Sequence, residues 1–463
     1  MKKEIDPLTL TIFEALDHLR SGLISPSDLN EAFLSQCERL NPRLNAFITL
    51  LDSEVREQSH DISLSSSKNS PLYGIPVAIK DLFEMKGIRT TAGSLFLREY
   101  IPDMDSLVVS KLKEAGALIV GKTNTHEFAF GVTGVNPHYG TCLNPWDAAR
   151  ISGGSSSGSA VAVASGMALG AVGTDTGGSI RIPASLCGVV GVKPTYGRVP
   201  LRGVVPLSWN LDHAGPIAKT VKDAALLLQV MAGYDPTDPA SKDILVNNYL
   251  LDIDAGIKDW NIALAVGDFI EEADEEVVRS VKEAARIFES LGARITPVNM
   301  DFLRDLASAN SLMVHADAVA YHRERLNEHP DWFGADVRER LESGKSYSAA
   351  DYSLARRKQS EGVYRMGDLF RKYDLVALPA TPLTAPLIEG TNAIAQARSL
   401  TRFTAPFNLT GLPAMSIPCG YNGKGLPIGL QLVSAAWKEV KVFQAGRAFE
   451  RETEKLKRTP PLQ

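Results

Sequence analysis

Residues 261–298 constrain the fold more than any other stretch of this chain. NIALAV at 261–266 is a short apolar run with strand character, and RITPV at 294–298 is a second. Between them, over 274–291, Val277, Val278, Val281, Ala284, Ala285, Phe288 and Leu291 recur at helical spacing and give the segment one apolar face. Such a face has to lie on a sheet. Strand, helix and strand in that order make the two strands parallel members of an α/β sandwich. Elsewhere, residues 75–79 read as a strand, Asp105 and Ser106 cap a helix running to about Glu114, and after Gly116 residues 117–120 form another strand. Helical spacing over 8–51 predicts a helical lead-in, and the serine-rich run 63–70 predicts a break after it.

A chain of 463 residues is long enough for about three domains. It has no internal repeat and no low-complexity linker, however, so the expectation is one body over 1–463, with a lead-in over about 6–60 and a core over about 71–455. With 44% hydrophobic and 22% charged residues, disorder is not expected. The formal charge of −5 is spread without basic blocks, which predicts no nucleic acid and no anionic membrane as partner. Cys37, Cys142, Cys187 and Cys419 form no CxxC pair, as expected of reduced thiols in the cytoplasm. The opening MKKEIDPLTLTIFEAL meets acidic residues where an export signal would turn apolar. The small, apolar run 160–173 is too short and too glycine-broken to span a bilayer and reads as a buried helix.

Two motif matches fail on physical grounds. GALIVGKT at 116–123 fits the phosphate-loop pattern, but its variable positions are themselves a strand whose amides the sheet would occupy. GSSSG at 154–158 fits the nucleophile elbow with Ser156 at its centre, but the preceding NPWDAARI is no buried strand. With that elbow go His213 and His315 as distal bases. A thiol nucleophile at Cys142 lacks an adjoining glycine-rich oxyanion loop, and His315 and His322 lack a third metal ligand.

Three separate pieces remain: Lys80 in YGIPVAIKDLF, Ser155 in GGSSSGSA, and Ser179 in GTDTGGSIRIPAS. Together with GVVGVKPTYGRV and FNLTGLPAMSIPCG they resemble the amidase signature family, and the likeness runs over most of the chain. The resemblance implies a three-layer α/β/α fold around a large central mixed, mostly parallel sheet. It also implies a triad in which Ser179 is nucleophile, Ser155, on a cis peptide, is the relay, and Lys80 is the base. An unperturbed lysine at pH 7 is about 3.4 pKa units, roughly 4.6 kcal/mol, from its neutral form, so burial has to lower its pKa. The apolar run before Lys80 suits that, and strand alternation sends Asp81 to the opposite face. The amides of Thr176, Gly177 and Gly178, with that of Ser179, are assigned to an oxyanion hole, since glycine lets backbone approach a ligand closely. Asp175 and Arg181 flank the nucleophile and are expected to form a structural ion pair, and His126, His138 and His213 to be structural.

By similarity, the loop from Phe128 to Gly131, with Ala129 and Phe130, and the segment near Trp209 line the acyl pocket, while Phe128, Phe130 and Trp209 are equally compatible with core packing. The expected reaction is hydrolysis of a small carboxylic amide by water, with no cofactor and no metal; a homodimer is left open. TNTHEFAFG also resembles the glutamine-hydrolysing subunit of tRNA-dependent amidotransferases. Thr401, where that subunit usually carries an Asp, and SWNLDHAGP at 208–216 favour a free-standing amidase. A non-catalytic binding protein on the same fold is the remaining alternative, and retention of all three triad residues argues against it.

Overall fold

The computed structural model describes residues 5–65, 68–390, 392–456 and 458–462. Among the described residues eleven strands form one sheet: β1 (Phe47–Leu50), β2 (Pro76–Lys80), β3 (Leu118–Thr123), β4 (Gly170–Asp175), β5 (Val190–Lys193), β6 (His213–Ala218), β7 (Asn261–Val266), β8 (Arg294–Asn299), β9 (Leu375–Pro379), β10 (Ala414–Tyr421) and β11 (Pro427–Val433). Their order across the sheet is β1-β3-β2-β4-β6-β5-β10-β11-β9-β7-β8.

β7 and β8 pair in parallel, and the helix Glu275–Ser290 between them buries Val277, Val281, Ala284 and Phe288, as the sequence predicts. Helices cover both faces because strand side chains alternate. In β9, Leu375 and Ala377 enter one apolar cluster while Val376 and Leu378 enter another; in β4, Val172 and Ala171 divide in the same way.

The sheet is mixed, but its parallel share is smaller than expected: among the described residues six of the ten pairings are antiparallel. A short connection can close only an antiparallel pair. β10 and β11 meet through such a turn, where the Asn422 side chain accepts hydrogen bonds from the amides of Lys424 and Leu426.

Three local expectations change. The lead-in is helical over Ile12–Ser21 and Pro26–Leu44, but 47–50 is strand β1, which finds a partner in β3. The run 160–173 is not one helix: Ser157–Ala164 is helical, Gly166 turns at φ +70°, and from Gly170 the chain is β4. Helix Asp52–Ser65 enters the serine-rich run, of which residues 66 and 67 lie outside the described residues, as do 1–4 of the opening segment. Among the described residues no helix is long and apolar enough to cross a membrane.

The discarded motifs are occupied structurally. β3 runs through Gly121, Lys122 and Thr123, and Lys122 is buried against Asp81 at 2.7 Å. The Ser156 hydroxyl is buried and donates to the Thr174 carbonyl at 3.2 Å.

Candidate active site

β2 delivers Lys80 to the interior, fully buried. Its Nζ donates to Ser155 Oγ and to Thr174 Oγ1, each at 2.7 Å. The next residue turns away, and Asp81 pairs with Lys122 and accepts from Thr91. Burial brings the Lys80 pKa down to about 7, against the pull of Asp212 and Asp175 in the other direction. An amine lowered this far toward neutrality has an uncharged form able to accept a proton.

Ser155 follows Gly154 through a cis peptide in the turn that leads into helix Ser157–Ala164. The adjacent Ser156 amide donates to the Ser179 carbonyl at 3.1 Å, which ties this turn to the loop 176–180. That loop connects β4 to the helix Arg181–Cys187. The amides of Gly177, Gly178 and Ser179 have no hydrogen-bond acceptor among the described residues. Gly178 sits at φ +137°, and a Cβ there would come within 2.3 Å of Thr404 Oγ1, so the position requires glycine. The carbonyls are held from outside: Thr404 Oγ1 donates to that of Gly177 at 2.6 Å, and Asn310 Nδ2 to that of Thr176 at 3.3 Å.

Asp175 and Arg181 form a fully buried pair at 2.8 Å beneath the loop. Arg181 also donates to Gln431, Asn408 and the Thr404 carbonyl, and Asp175 accepts from the Ile180 amide. Burial alone would raise the Asp175 pKa, but Arg181 holds it well below the usual carboxylate range. Removing one partner strands a buried charge, so Arg181→Met is expected to cost about 3–5 kcal/mol, read from chemical denaturation curves.

Ser179 opens onto a cavity of about 100 Å³ walled by Ala129, Phe130, Thr176, Gly177 and Leu207, with His315, Arg340, Arg398 and Thr401 on the remaining sides. Phe128 is turned into the core against His322 and Phe333. Trp209 does not belong to this cavity: it is 46% exposed and lines a separate one with Tyr196 and Asn210. The cause is a tight turn in which the Asp212 carboxylate accepts from the amides of Leu207 and Ser208; Leu207 faces in and Trp209 is thrown outward.

Three histidines named from the sequence have partners within the fold. His126 pairs with Asp336 at 2.9 Å, His138 with Glu127 at 3.2 Å, and His213 Nδ1 lies 2.7 Å from the Leu211 carbonyl. Among the described residues no group of His, Cys, Asp or Glu could hold a metal.

Sequence reasoning misses Thr174, Asp212, Arg340 and Arg398. Thr174 is missed because the sequence reads 160–173 as a helix, whereas residues 170–175 form β4. The arginines come from distant helices and carry no local signal.

The chain belongs to the amidase family, whose model matches residues 28–443. Its curated relatives include the A subunit of glutamyl-tRNA(Gln) amidotransferase from Geobacter sp. (strain M21), 37% identical over 97% of this chain and 99% of the relative. The counterpart from Desulfatibacillum aliphaticivorans is 38% identical over 98% and 99%. Among solved structures, the same kind of subunit from Thermotoga maritima superposes with a TM-score of 0.86 at 34% identity, covering 99% of both chains. A chain from a vestigial complex described as revealing the origins of an s-triazine catabolic enzyme gives 0.91 at 32%, covering 97% of this chain and 100% of that one. The exclusion of nucleic acid drawn from net charge therefore does not stand. These relatives are named as subunits of an enzyme of glutamyl-tRNA, and a whole-chain charge says nothing of contacts made locally or within an assembly.

Proposed function

We propose that this chain hydrolyses a carboxamide through an acyl-Ser179 intermediate, and that it does so as the amidase component of an amidotransferase, with glutamine as the amide. The observation carrying the catalytic part is the 2.7 Å bond from Lys80 to Ser155 in a turn tied directly to Ser179. Neutral Lys80 takes the Ser155 proton as Ser155 takes that of Ser179, and Ser179 Oγ bonds to the amide carbon. The carbonyl oxygen becomes an oxyanion facing the amides of Gly177, Gly178 and Ser179 on the loop opened by Thr176, each donor contributing about 3 kcal/mol. As the carbon–nitrogen bond breaks, the proton returns through Ser155 to the leaving nitrogen. Water repeats the sequence on the acyl-serine and releases the carboxylate. Asp175 and Arg181 support the loop, and Ala129 and Phe130 bound the acyl group.

The amidotransferase part is supported by the names of relatives that match nearly end to end. Arg340 and Arg398 on the cavity wall suit the carboxylate of glutamine. A second reading, a free-standing hydrolase, is favoured by Thr401: among the described residues the wall offers two arginines and no acidic side chain to a substrate ammonium. Ammonia release from glutamine and from glutaric acid monoamide, which lacks the amino group, separates the two. Glutamine is expected to be the better substrate, and a preference for the monoamide overturns the glutamine reading. Under either reading Arg398→Ala is expected to raise KM about tenfold, the worth of one charged hydrogen bond, with kcat little changed.

A further inference from the structure

Beyond the triad, one buried acid touches the Ser179 loop and the cavity wall together. Asp212 Oδ1 accepts from Thr176 Oγ1 at 2.6 Å, and its carboxylate also accepts from the Leu207 amide at 2.9 Å and the Ser208 amide at 3.1 Å. It therefore clamps the start of the oxyanion loop to the segment that presents Leu207 to the substrate cavity. Among the described residues it has no ion-pair partner, although it is only 7% exposed.

Hydrogen bonds and charge show which cation it faces. Thr176 and Asp212 lie one residue past the last pair of the antiparallel β4–β6 ladder, Asp175 opposite His213. Thr174 holds Lys80 Nζ, Thr176 two residues on holds Asp212, and amine and carboxylate act on each other's charge.

We infer that Asp212 is a positioning residue and the counter-ion for Lys80: it fixes the loop carrying Ser179 and supplies the negative charge that receives the ammonium formed when the serine proton moves. The inference rests on the catalytic reading above. The other charges nearby do not fill the role. Asp175 is already neutralised by Arg181 at 2.8 Å, with Lys193 acting on it as well. Asp317 is set behind Ser208, whose hydroxyl donates to it, and Tyr196 is neutral, its phenol pushed up to about 12 by burial. Burial likewise keeps His213 uncharged. Burial also raises the Asp212 carboxyl to about 6, against the pull of its hydrogen bonds and of Lys80.

The test is the pH dependence of Ser179 labelling by a fluorophosphonate and of amide turnover, in wild type, Asp212→Asn and Thr176→Val. Without the carboxylate charge the ammonium is less favoured, so in Asp212→Asn the acid limb should move to lower pH by about one unit while the plateau rate falls. Thr176→Val removes one hydrogen bond to the carboxylate, and its limb should move the same way by less; this variant keeps the question open to test if Asp212→Asn does not fold. A lowered plateau with the acid limb unmoved in both variants makes Asp212 a purely structural clamp and overturns the counter-ion role. A wild type with neither labelling nor an acid limb overturns the catalytic reading itself.

Discussion

Ser179→Ala is expected to lower amide turnover by about 10⁴-fold or more, because no other hydroxyl can form the acyl intermediate from its place. Ser156 is the obvious substitute, yet its hydroxyl is buried and committed to the Thr174 carbonyl. Ser155 is committed to Lys80. The measurement is ammonia release by purified wild type and variant, with phosphonate labelling as a count of reactive serines. Wild type should take up one equivalent and the variant none. Ser179 sits on the cavity wall, and the loop around it is held through other residues, so the variant's denaturation midpoint should match that of wild type. That match separates lost chemistry from lost fold. Activity persisting in this variant would place the nucleophile elsewhere.

The second large effect is on the proposed base. Lys80 has to be neutral to accept a proton, and its pKa lies at about 7 because burial outweighs the attraction of Asp212 and Asp175. Below that value the amine is protonated and cannot act. kcat/KM should therefore hold a plateau on the alkaline side and fall roughly tenfold per pH unit on the acid side of the midpoint. Lys80→Met is expected to lose about 10³-fold or more across the whole range and to show no such limb. Lys80→Arg should not restore it, because a guanidinium stays charged at every accessible pH. A wild-type profile flat down to about pH 5 would rule out a lysine base.

The network around the loop explains why these effects should be local. Arg181 and Asp175 lock the loop from below through Gln431 and Asn408, and Thr404 and Asn310 hold its carbonyls from the side. What is left to point at a substrate is the set of amides of Gly177, Gly178 and Ser179 and the serine hydroxyl. A donor array held in place before the substrate arrives needs no reorganisation during reaction.

Much of this is legible in the chain itself. β7, its following helix and β8 are readable because the helix has one apolar face and the strands are short apolar runs; both signals are local. Lys80 is legible as a buried amine for the same reason: it closes an apolar strand. The run 160–173 misleads because small apolar residues carry no period, so only Gly166 marks where helix gives way to β4. Trp209 misleads because an aromatic side chain beside a site looks alike in sequence whether it faces in or out. The Asp212 turn decides that, and it depends on a partner across the sheet.

The sequence alone determined the α/β class through residue type and short-range periodicity, and its resemblance to the amidase signature family pointed to the glycine-rich loop and the three candidate groups of the triad. Tertiary structure alone decided that Lys80 meets Ser155, that Asp212 bonds to Thr176, and that Arg340 and Arg398 face the same cavity as Ser179. The physical reason is distance along the chain. Periodicity reports what a residue does within one helix or strand, whereas a hydrogen bond between positions 75 residues apart exists only once the sheet has brought its strands into register.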